Sequence, residues 1–253
     1  MKKFGNEVLV DALPVCHLDE GDYFNLIESV IDQTFRGRFA FVNTRVWHFY
    51  NETYPIYLKD AYLLPDGAPL RWIINSKIDN DRYPCARVPG IRFFTDVMSM
   101  DSSRQLRHAF VGTDEKTLGL IRRKLKDQYP GVNIVCMLAP EFGEAEQIIT
   151  EVLTSKLAAT SPDMVWVGLG APKQDEAAWL LSRGLNLDVN YAGVGLVFEY
   201  IAGTVKSPPE WINKAGIEWA YRVFVQPRRT VNFIFPFLSM LRLVLWHFVR
   251  RRR

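Results

Sequence analysis

Six short runs in this sequence are apolar on both of their faces: FAFVN (39–43), AYLLPDG (61–67), HAFVGT (108–113), VNIVCML (132–138), DMVWVGLG (163–170) and VNYAGVG (189–195). A strand with both faces apolar has no side to give to water, so it belongs inside a parallel sheet covered by helices on two faces. Helical spacing follows the runs, as that arrangement requires. From Asp22 to Phe35, the residues Tyr23, Leu26, Ile27, Val30 and Ile31 form one buried stripe, and residues 114–127 repeat the pattern with Leu118, Ile121 and Leu125. Thr113 or Asp114 caps the second helix and Tyr-Pro-Gly closes it. The predicted fold is α/β: an open, mostly parallel sheet with helices on both faces.

No Pro/Gly/Ser-rich linker divides the first 200 residues, so one core domain is expected over residues 1–218. The remainder, 219–253, is different in kind. After Glu218 there is no acidic residue but eight arginines, so a net charge of −5 for 1–218 becomes +8 for the tail. Its apolar stretch, 230–249, has about the ~20 residues a membrane span needs, but Pro236 interrupts it and Arg242 would lie deep in the bilayer. At helical spacing Ser239, Arg242, Arg250 and Arg253 share one face, and Leu238, Leu241, Leu245 and Phe248 the other. That pattern predicts an amphipathic helix lying on an anionic membrane surface; docking of the leucines on the chain's own core would leave the four terminal arginines unexplained. Cys16, Cys85 and Cys136 have no paired spacing, and Glu7 and Asp11 break any signal-peptide run, so a reducing, cytoplasmic location is expected.

In an open parallel sheet, ligands gather where strands end and helices begin. That rule places Asn43, Asp66, Gly112, the Gly168–Gln174 loop and Gly193–Gly195 on one rim. Asp66, at the end of a strand and before Gly67, is a candidate general base, although Asp-Gly is equally ordinary turn chemistry. GLGAPKQ puts Gly170, Pro172, Lys173 and Gln174 at a helix start suited to an anion. Glu199 follows the glycines of YAGVGLVFEY by one helical turn. Asp79-Asn80-Asp81 resembles a metal-binding DxD, but Lys77 and Arg82 flank it and a solvated loop is the better reading; the four histidines are scattered, so no metal site is expected.

The motifs FVN, LLPDGAPL, RVPG, PDMVWVGLGAPKQD, GVGLVFEYIAG, SPPEWINKAGIEWAYR and QPRR follow the order and spacing of the WecG/TagA/CpsF glycosyltransferases, glycosyltransferase family 26. The resemblance covers about residues 38–230. It implies an inverting, metal-independent enzyme without a cofactor, peripheral on the inner face of the bacterial cell membrane. Such an enzyme takes a sugar from a UDP-sugar donor and delivers it to a monosaccharide carried on undecaprenyl diphosphate, in surface polysaccharide synthesis. By the same resemblance Asp66 is the catalytic base. Asn43, Thr44, Gly67, Gly112, Gly170, Pro172, Lys173, Gln174, Asp175, Gly193, Gly195 and Glu199 serve the nucleotide sugar, and Arg87, Arg222, Arg228 and Arg229 the acceptor diphosphate. This sequence departs from the family pattern at Phe41, Arg92, Asp175, Glu199 and Lys206-Ser207-Pro208, which bears on which sugar is carried. No nucleic-acid partner is expected, and homo-oligomerisation is left open. Two rival classes are a nucleotide-cofactor oxidoreductase, for which neither GxGxxG nor a Walker A sequence is present, and a non-catalytic membrane-surface module.

Overall fold

The computed structural model describes residues 4–50, 55–78, 84–101, 105–185, 188–209, 211–212, 221 and 238–242. The chain opens with an antiparallel hairpin, β1 (Asn6–Val10) and β2 (Leu13–His17), whose turn places Asp11 at φ 53°. Helix α1 (Glu20–Ile31) follows, with the Asp19 carboxylate accepting from the Asp22 amide at 2.8 Å. It ends earlier than periodicity suggests. Gln33 adopts φ 56°, the Thr34 and Phe35 amides return to the Ser29 carbonyl, and Phe35 enters the core from this turn instead of from the helix.

Each of the six apolar runs is a strand: β3 (Arg38–Val42), β4 (Ala61–Pro65), β5 (Arg107–Gly112), β6 (Asn133–Leu138), β7 (Met164–Gly168) and β8 (Asn190–Gly193). They form one parallel sheet in the order β4-β3-β8-β7-β5-β6. Between them run α2 (Thr44–Tyr50), a 3-10 turn (Ile56–Leu58), α3 (Ala68–Lys77), α4 (Gly90–Met100), α5 (Glu115–Gln128), α6 (Ala145–Ile148), α7 (Glu151–Ala159) and α8 (Lys173–Gly184), with α9 (Val197–Ala202) after β8. Alternate strand residues supply two cores. Phe39, Phe41, Phe110 and Trp166 pack against α1, α4, α5 and α9 on one face. On the other, Ala40, Val42 and Leu63 meet the hairpin, α2 and α3, while Ala109, Val165 and Tyr191 meet α7 and α8. Neighbours β3 and β8 therefore send their helices, α2 and α9, to opposite faces, which opens a crevice at the carboxyl ends of the strands.

The opposite end of the sheet is sealed by a buried polar chain. Trp166 Nε1 donates to His108 Nδ1 at 3.1 Å, so the other ring nitrogen, Nε2, carries the hydrogen and donates to Asp101 Oδ2 at 3.0 Å. Asp101 Oδ1 accepts from the Leu106 amide at 2.9 Å. Near the C-terminus, residues 238–242 are helical. Met240 is buried in the core shared by the hairpin, α2 and α3, whereas Leu238 and Leu241 face outward, 50% and 38% exposed. The segment is thus docked by its methionine and not by its leucines. Among the described residues no helix is long and apolar enough to cross a membrane. Arg222, Arg228, Arg229, Asp79, Asp81, Pro236 and the terminal arginines lie outside the described residues.

Replacing His108 by Leu leaves Asp101 Oδ2 and the Trp166 indole N–H without partners in a dry interior. At roughly 1–3 kcal/mol for each orphaned group, a loss of about 3 kcal/mol is expected in urea denaturation. A loss below about 1 kcal/mol would mean that both groups find other partners.

Candidate functional site

The crevice has a volume of about 950 Å³ and runs along the strand ends from β4 to the loop after β6. At one end the register decides the chemistry. Val42 pairs with Pro65, so the next residues, Asn43 and Asp66, leave the sheet side by side, and the Asp66 amide continues the ladder to the Val42 carbonyl at 3.0 Å. Asn43 Oδ1 caps α2 by accepting from the Arg45 and Val46 amides at 3.0 and 3.1 Å. That fixes its amide, leaving Nδ2 to donate to Asp66 Oδ2 at 3.3 Å. A half-buried carboxylate held by an amide at a crevice wall can accept a proton from a bound hydroxyl.

Helix starts are where this fold can offer positive potential to an anion. In α8 the Gln174 amide donates to Gly170 O at 3.0 Å and the Asp175 amide to Pro172 O at 3.0 Å, and the first turn carries Asp175 and Glu176. The start of α5 is occupied by its own Asp114, whose carboxyl the Thr117 amide holds below the usual range. Helices α3 and α4 start without a side-chain cap and without an acid in the first turn. Pro89 and Gly90, at the head of α4, line the crevice beside Phe41. The α4 end is therefore the better-disposed helix terminus for an anion. Lys173 adds its charge from the other wall, its Nζ donating to Gly143 O at 2.6 Å and lying 5.1 Å from the centre of the Phe142 ring.

Of the residues singled out from sequence, Asn43, Asp66, Gly170, Lys173, Gln174, Gly193, Gly195 and Glu199 line this one crevice. Thr44, Gly67, Gly112 and Pro172 stand just behind the lining, at element ends. Arg87 lies in the loop before α4, and its carbonyl accepts from Arg92 Nη1 at 2.9 Å. Arg92 itself pairs with Glu20 and Asp96 across α1 and α4. Asp175 is not on the lining: it is buried behind β8, and burial raises its carboxyl to about 7 against the opposing pull of Arg38. Sequence reasoning missed Thr113, Asp114 and Phe142 on the rim. Phe142 is fully exposed, a state that no periodicity signals. Among the described residues no group of three or more His, Cys, Asp or Glu is placed to hold a metal.

The family model described as the glycosyl transferase WecG/TagA/CpsF family matches residues 8–253. The chain is similar to the N-acetylglucosaminyldiphosphoundecaprenol N-acetyl-beta-D-mannosaminyltransferase of Bacillus subtilis (strain 168), with 24% identity over 66% of this chain and 62% of the relative. The protein of the same name from Bacillus spizizenii (strain ATCC 23059 / NRRL B-14472 / W23) is 27% identical over 71% of this chain and 66% of its own length. The chain thus spans 62% and 66% of the lengths of these two curated relatives.

The state of Asp175 is open to a stability measurement. Its folded carboxyl titrates near 7 against about 3.9 in an unfolded chain, so the folded protein holds a proton that the unfolded one has released. The group's contribution is fully present below about pH 4 and is lost as pH rises to about 7. Asp175→Asn should therefore gain stability over the wild type progressively across that window, with no further gain above it. Urea denaturation from pH 4 to 8 measures this, and a stability difference flat in pH would show that Asp175 is not buried as a neutral acid.

Proposed function

The chain belongs to the WecG/TagA/CpsF family of glycosyl transferases, and on that footing we propose that it moves a sugar from a UDP-sugar to a monosaccharide linked through diphosphate to undecaprenol, inverting the anomeric carbon, in bacterial surface polysaccharide synthesis. The observation that carries this reading is the Asn43–Asp66 pair at the mouth of the crevice. A hydroxyl of the acceptor sugar attacks C1 of the donor while Asp66 takes its proton, and the C1–oxygen bond to UDP breaks on the opposite side. Asn43 holds the carboxylate in position. The departing diphosphate is stabilised by the start of α4 and by Lys173. Arg87 and the arginines at 222, 228 and 229 are assigned to the acceptor diphosphate, since guanidinium groups pair bidentately with phosphate oxygens. No metal is invoked.

Membrane attachment is part of the same proposal. The 238–242 segment keeps Leu238, Leu241 and Arg242 exposed while Met240 anchors it. That orientation favours a segment lying on the inner leaflet.

Asp66→Asn should keep its fold and its UDP affinity and lose transfer by ~10² or more, the lower end of what a general base supplies. Wild-type transfer to a synthetic sugar-diphosphate-polyprenol should persist in EDTA. Activity of the variant within a few-fold of wild type would remove Asp66 from the chemistry, and activity restored to the chelated enzyme by Mg²⁺ or Mn²⁺ would overturn the metal-free step.

Leu238→Glu combined with Leu241→Glu should reduce co-sedimentation with phosphatidylglycerol vesicles at least tenfold and leave the unfolding midpoint unchanged, because neither side chain is in the core. Undiminished vesicle binding would place the membrane contact elsewhere on the chain.

A further inference from the structure

The loop between β6 and α6 carries a side chain that the packing of the fold leaves unused. Its residues 140–143 lie on the crevice lining, yet the Phe142 ring is fully exposed, and a bare aromatic ring in water is unfavourable. Both ends of the loop are anchored. Leu138 pairs with Val111 in the sheet, and at the far end the Glu144 amide donates to Gln147 Oε1 at 2.9 Å as part of the capping box of α6. A Cβ at Gly143 would stand 2.8 Å from that oxygen, so glycine there lets the cap close. Between the anchors, residues 139–143 make one hydrogen bond among the described residues: the Gly143 carbonyl accepts from Lys173 Nζ at 2.6 Å. The same ammonium lies 5.1 Å from the centre of the Phe142 ring and 3.7 Å from Glu144 Oε1. One cation from the first turn of α8 therefore holds the whole tip of the loop.

That tether is exchangeable. An ammonium bonded to a neutral carbonyl gains by moving to a phosphate oxygen, because charge then meets charge instead of a dipole. Resting on the nucleotide-sugar reading, we propose that residues 139–143 are a strap: in the free protein Lys173 holds it back at Gly143, and a bound diphosphate takes over the Lys173 ammonium and releases the strap, so that Phe142 closes over the donor. The half-buried side chains of Ile91, Leu169 and Leu196 on the lining give the ring apolar surface to close against. The swing needs no change in the sheet or in α6, because both anchors lie outside residues 139–143.

Closure has a chemical purpose in this reaction. Water is also a nucleophile toward C1 of the donor: its oxygen would bond to C1, the C1–oxygen bond to UDP would break, and Asp66 would take the proton as it does from a sugar hydroxyl. A covered donor reacts with the acceptor, whereas an open one also hydrolyses. Coupling the cover to Lys173 ties it to occupancy, since the strap is released only when an anion competes for the ammonium.

The test uses the full chain and limited digestion with chymotrypsin, which nicks exposed loop tips. The fragments 1–142 and 143–253, identified by mass, report the cut after Phe142. UDP should slow that cut at least fivefold, and inorganic pyrophosphate should do the same. Without any ligand, Lys173→Met should be cut several-fold faster than wild type, because the strap has lost its tether. Phe142→Ala should keep the wild-type unfolding midpoint and raise the ratio of UDP-sugar hydrolysis to transfer several-fold. Binding of UDP in calorimetry with an unchanged cut after Phe142 overturns the closure, and protection by UDP but not by pyrophosphate overturns the exchange at Lys173. A ligand-free Lys173→Met cut at the wild-type rate overturns the tether, and an unchanged hydrolysis ratio in Phe142→Ala overturns the covering role. A wild-type chain that binds neither UDP nor pyrophosphate overturns the nucleotide-sugar reading itself, an outcome separate from the tether comparison, which needs no ligand.

Discussion

Parallel pairing of β3 with β4 sets Val42 opposite Pro65, and the geometry at the Asn43–Asp66 end of the crevice follows from that register. In a parallel pair the strands run out together, so the first residues beyond the ladder are neighbours about one strand spacing apart. Asn43 and Asp66 occupy those positions, and each is committed a second time by the helix that follows it. Asn43 caps α2, and Asp66 precedes Gly67, the N-cap position of α3. A slip of one residue would put Asn43 beside Pro65 and turn the inward-facing phenylalanines of β3 to the opposite face. Burial of Phe39 and Phe41 in one core, and of Ala40 and Val42 in the other, therefore protects the geometry of the polar pair.

The same topology distributes charge around the crevice. Three long helices begin at its rim, α4, α5 and α8. One is neutralised by its own Asp114 and one carries Glu176 in its first turn, so the α4 end, with neither a side-chain cap nor an acid there, keeps its potential. Gly90 makes that end accessible: the nearest atom to a Cβ there would be a Phe41 ring carbon at 3.5 Å. Phe41 thus shapes the approach to the start of α4. An aromatic ring there cannot donate a hydrogen bond, so an anion at this end would have to be met by backbone amides and basic side chains.

Much of this was legible in the sequence because apolar residues on both faces of a short run have one physical solution, and all six runs obey it. The hairpin was not legible. NEVLV and LPVCH are short and of mixed polarity, and what makes them strands is the tertiary contact of Val10, Leu13 and Val15 with α2 and α3. Asn43, Asp66 and the GLGAPKQ loop could be placed on one rim because strand ends are where ligands collect, but their roles could not be apportioned from spacing. Asp175 shows why. An acid in the first turn of a helix is expected to face water and serve the dipole, whereas the rotation of α8 against β8 carries it into the core. In the tail the docking point of the described segment was not legible, since Met240 lies between the apolar and charged stripes that the spacing defines.

Buried polar groups in this fold are treated differently at its two ends. Beneath the sheet, Asp101, His108 and Trp166 complete one another with hydrogen bonds of 3.0 and 3.1 Å, as an interior with no solvent requires. At the crevice end, Gln174 Oε1, Asp175 Oδ1 and the Tyr191 hydroxyl, all buried on or beside β8 and α8, lack partners among the described residues. A fold that needed only stability would have apolar side chains there, because an unsatisfied or ionisable buried group costs more than a packed hydrocarbon of similar size. Among the described residues Arg36 Nε and His48 Nδ1 are in the same state, and of these five atoms only Gln174 Oε1 belongs to a crevice-lining side chain. A ligand in the crevice can pair with that one atom and so recover part of the cost of burying it.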